Sequence, residues 1–257
     1  MKIAVTGKGG VGKTTISAAL CCAFAEKGYK VVAIDADPDA NLASALGFPE
    51  NMNITPISEL KDLIEERTGA KPGTSGGFFK LNPKVDDLPE KLWVEYNGVR
   101  LMLMGTVKKG GSGCVCPESV LLKSLLQHLV LFRKEVVIMD MEAGIEHLGR
   151  ATARAVDHFI VVVEPGMRSI ETALKIKELA NDIGIKSICG IANKIRRESD
   201  REFFRKKVNG IKMLGYIPYD EEVIEADLSR LSVWDHGKET VKEVRKIVDK
   251  MVKRREL

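Results

Sequence analysis

The chain has 257 residues, with 40 Lys and Arg against 36 Asp and Glu, a formal charge of +4. An excess this small does not by itself suggest the electrostatic footprint that nucleic acid or an anionic membrane surface would call for, and the length suits one large α/β domain as well as two small ones. No apolar run approaches the roughly 18 residues of a membrane span, MKIAVT is too short for a secretory segment, and five cysteines with Cys21 and Cys22 adjacent do not form a disulfide framework, so a cytoplasmic protein is expected.

In chain order, KIAVT (2–6) is a short β-branched run that stops at glycines, and TTISAALCCAFAEKG (14–28) carries helical apolar spacing up to a glycine stop. YKVVAID is a strand and ISELKDLIEERTG a helix; GAKPGTSGGFF (69–79) is rich in Gly, Pro and Ser and is expected to be a mobile loop, not a domain linker. VRLMLMG is a strand, PESVLLKSLLQHLVLF a helix, EVVIMD and DHFIVVVE are strands, and SIETALKIKELANDIG is a helix. KSICGIAN and IKMLGYIP are strands, and a last helix begins near Lys238. Strands that are apolar throughout, alternating with amphipathic helices, predict an α/β fold: a single doubly wound, mainly parallel sheet with helices on both faces, spanning 1–257 as one domain.

GKGGVGKT (7–14) matches G-x-x-x-x-G-K-[ST] directly after a strand and directly before a helix, the context a P-loop requires. Its glycines let the backbone wrap phosphates, so Gly9, Gly10, Val11, Gly12, Lys13, Thr14 and Thr15 are the expected nucleotide-binding residues, for ATP or ADP. Lys13 reaches the β- and γ-phosphates, and the Thr14 hydroxyl is placed for Mg²⁺.

KGGVGKTT, with its extra Lys8, resembles the deviant Walker A motif of the MinD/ParA/nitrogenase-reductase class of ATPases. In that class the first lysine crosses a dimer interface to the partner's nucleotide, so the resemblance implies a homodimer. DADPDANL (35–42) resembles the switch I segment, DMEAG (140–144) the Walker B and switch II segment, and NK (193–194) the adenine-side Asn. By that resemblance Asp37 orients the attacking water, Asp140 holds Mg²⁺ through its water shell and Asn193 lies beside the adenine. Each of the three also has an ordinary reading as a strand-end turn residue or cap.

GGSGCVCPES (110–119), together with DMEAGIEHLGR, resembles the nickel-insertion accessory ATPases of carbon monoxide dehydrogenase, the CooC type; relatives that serve the acetyl-CoA synthase nickel site share these residues. The chemistry of the segment points the same way. Cys116 precedes Pro117, a good first helical residue, and so falls at an N-cap, where the positive helix end favours thiolate. In an extended segment Cys114 and Cys116 face one side and can share an ion on a loop near 110–117. Two thiolates are half of a four-coordinate site, and two-fold symmetry supplies the other half. Such a site takes zinc as readily as nickel in a test tube. Cys21, Cys22 and Cys189 read as small buried hydrophobes. His147 is a further ligand candidate, although a solvated loop histidine is the plainer reading.

Two other classes remain open on sequence. One is an ATP-dependent reductase holding an iron–sulfur cluster, against which IEHLGR lacks that pattern's cysteine. The other is a spatial-positioning ATPase acting on membrane or DNA. The last helix has Val241, Val244, Ile247, Val248, Met251 and Val252 on one face; without Trp, Phe or several Leu, that stripe is expected to pack on the sheet, with no membrane or nucleic-acid partner.

Overall fold

The computed structural model describes residues 1–73, 78–105, 116–142, 152, 155–185 and 187–253. Its strands are β1 (Lys2–Gly7), β2 (Val31–Asp35), β3 (Val94–Tyr96), β4 (Val99–Leu103), β5 (Val136–Asp140), β6 (His158–Val163), β7 (Ile188–Ile195) and β8 (Lys212–Pro218). They form one sheet in the order β3-β4-β2-β5-β1-β6-β7-β8, and every pairing is parallel except β3 with β4. Strands β1, β2 and β5 are buried along their whole length, which is why they read as unbroken apolar runs with no polar alternation.

Helices cover both faces, as expected. On one face lie α1 (Lys13–Glu26) and the short α2 (Leu42–Ala45), with the helix Lys238–Lys253 packed on α1 and β8. The apolar stripe of that last helix, Val241, Val244, Ile247, Val248 and Met251, is buried there. On the other face lie α3 (Lys61–Thr68), the short α4 (Pro89–Leu92), α5 (Pro117–Phe132) and the helices Met167–Ile183 and Glu198–Lys207. No described helix is long and apolar enough to cross a membrane.

Besides the unexpected short helices Leu42–Ala45, Pro89–Leu92, Glu221–Leu228 and Val233–His236, three departures from the sequence expectations have an identifiable cause. The helix expected from Ile57 begins as a 3₁₀ turn over Ile57–Glu59 and becomes α-helical only at Lys61, because Leu60 between them is non-helical at φ −78° and ψ 71°. The edge strand β3 was not expected: three residues are too few to show periodicity. Its turn signal was nevertheless present, since Asn97 (φ 48°) and Gly98 (φ 77°) are both left-handed, as a two-residue hairpin requires. The helix Glu198–Lys207 has seven charged residues in ten and buries only Phe204. Its start is set by Asp200, whose carboxylate accepts the N–H groups of Arg196 and Arg197 at 2.8 and 3.0 Å.

Reversal of the winding around β1 leaves a crevice at the carboxyl ends of β1, β2, β5, β6 and β7, where a doubly wound sheet binds its ligand. Of the expected loop at 69–79, residues 74–77 lie outside the described residues, as do 110–115 of the cysteine loop.

Candidate nucleotide-binding site

At the end of β1 the chain turns through Lys8–Gly12 into α1. Gly12 caps that helix at φ +92°, and its carbonyl accepts the Ile16 N–H at 3.0 Å. A β-carbon on Gly12 would lie 2.4 Å from the Asn193 Nδ2, so both the conformation and the space call for glycine. Lys13 opens the helix and is 8% exposed, with Thr14 and Thr15 half-buried after it. The loop thus brings its N–H groups, a helix N-terminus and a cation to one place, the anatomy of a phosphate cradle. Lys8 is half-buried, and its ammonium has no ion pair or hydrogen bond among the described residues.

Two carboxylates close this cradle from below. Asp35 and Asp140 end the adjacent strands β2 and β5 in direct register, and both are fully buried. Asp140 accepts the Ser17 hydroxyl on Oδ1 at 3.0 Å, whereas its buried Oδ2 has no hydrogen-bond partner. Burial raises its pKa to about 6, against the pull of the Thr14 and Ser17 hydroxyls and of Lys13. Asp35 is pushed up to about 7, again by burial first; the backbone N–H groups of Leu42 and Asp37, at 2.9 and 3.2 Å, work the other way.

The roles of the pair differ by their partners. Both Asp35 oxygens are taken by backbone, so Asp35 braces the loop from 37 to 42. Asp140 keeps a free oxygen near the Thr14 hydroxyl, a hard-oxygen donor set that fits the Mg²⁺ accompanying a nucleotide. Asp35 was missed in the sequence reading; the available signal was a carboxylate closing an otherwise apolar strand. Asp37 is half-buried and its Oδ1 accepts the Asp39 N–H at 3.1 Å, so in this form it caps its own loop.

The raised carboxyls set a pH dependence. Between about pH 4, where an unfolded Asp titrates, and about pH 7, the folded chain holds protons that the unfolded chain has released. Stability from this pair is therefore full below pH 4 and is lost as pH rises to 7. Asp140→Asn keeps the acceptor for Ser17 and removes one titration. Its melting temperature without ligand is expected to exceed wild type at pH 7.5 and to converge on it at pH 4.5, at about 2–4 °C per kcal/mol relieved. Parallel melting curves across that range would rule out the assignment.

Asn193 is 8% exposed at the end of β7, and its Nδ2 donates to the Val11 carbonyl at 2.9 Å. Beside it, Glu164, Pro165, Lys194, Arg196 and Tyr219 line a cavity of about 380 Å³, with the Arg196 guanidinium 3.6 Å from the Tyr219 ring centroid. A wider cavity of about 650 Å³, between Tyr29, His128 and Phe132, lies at the opposite edge of the sheet and shares no residue with the phosphate loop.

Cys116 is the N-cap of α5 in extended conformation, with Pro117 first in the helix, as the sequence indicates. Its N–H donates to the Ser119 hydroxyl at 3.2 Å. Since α5 follows β4 and precedes β5, the topology puts Cys116 at the carboxyl ends of the strands, the end that also carries the phosphate loop. Cys114, His147, Ala143 and Gly144 lie outside the described residues. Cys21 and Cys189 are buried in the core and Cys22 is half-buried. Burial pushes the Cys21 thiol up, and that of Cys22 up to about 12, so both stay protonated.

Residues 2–233 match the model of the CobQ/CobB/MinD/ParA nucleotide binding domain. The chain is 53% identical over 237 residues to the carbon monoxide dehydrogenase accessory protein CooC of Rhodospirillum rubrum, covering 91% of this chain and 90% of that one. It is 50% identical over 256 residues to an uncharacterized ATP-binding protein of Methanocaldococcus jannaschii, covering 98% of each. Among solved structures, the MinC:MinD cell division protein complex of Aquifex aeolicus superposes with a TM-score of 0.72 at 21% identity, over 98% of this chain and 95% of that one. The septum site-determining protein MinD complexed with Mg-ADP from Pyrococcus horikoshii gives 0.66 at 22% identity, over 98% and 96%.

Proposed function

Since this chain belongs to the CobQ/CobB/MinD/ParA nucleotide-binding family and is a P-loop ATPase, we propose that it is a dimerising Mg-ATPase that carries nickel on Cys114 and Cys116 to carbon monoxide dehydrogenase. The observation that carries the reading is the placement of Cys116 at a helix N-terminus at the phosphate-loop end of the strands, in a chain 53% identical to a protein named as an accessory of that enzyme. A cysteine pair there answers to the same subunit approach that closes two nucleotide sites on each other.

In this mechanism the phosphate loop and Lys13 bind the nucleotide, and Thr14, with Asp140 through the water shell, would hold Mg²⁺, which would neutralise charge on the phosphates. Asn193 and the cavity by Tyr219 receive the adenosine. Asp37 leaves the Asp39 N–H and orients the attacking water, a short move within a loop that Asp35 keeps braced. Lys8, without a hydrogen bond or ion pair among the described residues, reaches the nucleotide of the second subunit. Nickel is the cargo, held by two thiolates from each chain and released when hydrolysis changes the subunit contact.

Activation of nickel-free carbon monoxide dehydrogenase by this protein, Ni²⁺ and Mg-ATP tests the proposal. Activation is expected to require hydrolysable ATP, and Lys8→Ala is expected to give less than about a tenth of it, with nucleotide still bound to a monomer by light scattering. Equal activation with ATP, with ADP and without nucleotide would overturn the coupling of ATP to delivery.

A further inference from the structure

Two consecutive side chains of β7 grip two consecutive carbonyls of the phosphate loop. Asn193 Nδ2 donates to the Val11 carbonyl at 2.9 Å, and Lys194 Nζ donates to the Gly10 carbonyl at 2.6 Å while pairing with Glu164 Oε2 at 3.0 Å. A regular strand cannot do this, because neighbouring side chains point to opposite faces. Here β7 slips its register against β8 between Ala192 and Ile195, and Lys194 is left-handed at φ +59°. That conformation is strained for a lysine and would not be for a glycine.

What the grip acts on is the least supported part of the loop. Gly9 and Gly10 are exposed, and nothing lies within 4 Å of where their β-carbons would be. Packing therefore does not define this tip, and two glycines in a row leave its backbone free to turn. The peptide plane joining Gly10 to Val11 is held at one end by Lys194 and at the other by a long 3.4 Å bond from the Val11 N–H to the Lys8 carbonyl. Fixing an outward carbonyl fixes the N–H across the same plane, and in a phosphate cradle the directions of successive N–H groups are the binding site. As a half-exposed ion pair, Lys194–Glu164 adds little to global stability, so its consequence is local.

The geometry points to Lys194 as a positioning residue, steadied by Glu164, that sets the Gly9–Gly10 tip of the phosphate loop in the shape that receives the nucleotide and presents Lys8. It touches no reacting atom; it acts through the Gly10 carbonyl. Its effect on nucleotide affinity rests only on the ATPase assignment, whereas the effect on Lys8 rests on the cross-dimer role proposed above.

The test compares wild type with Lys194→Met, which keeps the chain length and removes the donor, and Lys194→Arg, which restores one. Hydrogen exchange of the peptide covering residues 7–14 is expected to quicken at least severalfold in Lys194→Met and to return towards wild type in Lys194→Arg, with melting temperatures within about 2 °C. Affinities for Mg-ADP and Mg-ATP are expected to fall about tenfold together in Lys194→Met, so that KM rises while kcat at saturating ATP changes less than twofold. Glu164→Gln is expected to fall between. Because Lys194 also lines the cavity proposed for the adenosine, exchange decides: exchange of residues 7–14 in Lys194→Met equal to wild type would overturn the proposal even if Mg-ADP affinity fell, as would a quickening that Lys194→Arg fails to rescue. If Lys8→Ala dimerises normally while Lys194→Met still loosens Mg-ADP, the cross-dimer role falls and the positioning role stands.

Discussion

Lys13→Ala is expected to weaken Mg-ATP and Mg-ADP binding by about a hundredfold or more while the chain stays folded. Lys13 is 8% exposed and opens α1, so its charge acts in a site with little water to screen it. Hydrogen bonds to charged groups contribute about 1.5–3 kcal/mol each, and a hundredfold is about 2.7 kcal/mol. A second effect has the same sign. Lys13 is among the groups that hold down the pKa of Asp140, and without it that pKa rises further, so the carboxyl holds its proton more tightly against Mg²⁺. Alanine suits the first turn of a helix, so the fold is not at risk. Titration with a fluorescent ADP measures the effect; affinity within threefold of wild type would remove Lys13 from the phosphate site.

The second large effect concerns the metal. Cys114→Ser and Cys116→Ser are each expected to abolish tight nickel binding, at about one ion per two chains in the wild type, and to leave Mg-ADP affinity within about twofold. Serine keeps the size but not the soft anionic ligand, since its hydroxyl stays protonated at pH 7. In the structure Cys116 caps α5, and its hydrogen bonds among the described residues go to Ser119 in that helix, so losing its sulfur is expected to leave the nucleotide site intact. Metal analysis after gel filtration, alongside subunit mass, decides this. One ion per single chain that persists in the double variant would place the ligands elsewhere, and the nickel reading would then rest on family likeness alone.

The fold class was legible because it depends on patterns that are local in the chain. Apolar runs of five to eight residues that end at glycine or aspartate, alternating with helical periodicity, mark a covered parallel sheet, and the sheet found is that sheet with one antiparallel edge added. The elements that escaped detection carry little apolar signal: β3 has three residues, and Glu198–Lys207 buries one. Their positions are decided by a turn and by a carboxylate cap.

Within the site, the division follows the range of the interactions. Gly12, Lys13 and Thr14 are identifiable in sequence because a phosphate cradle is built by adjacent N–H groups, and adjacency is what a motif records. Cys116 as an N-cap is legible for the same reason, Pro117 being its neighbour. The pairing of Asp35 with Asp140 comes from strands 105 positions apart meeting in register, and the grip of Asn193 and Lys194 on Val11 and Gly10 spans more than 180 positions. Only the assembled sheet sets those distances. It also decides which of the two buried carboxylates is tied up by backbone and which keeps an oxygen free, because hydrogen-bond partners are allotted by packing and not by residue type.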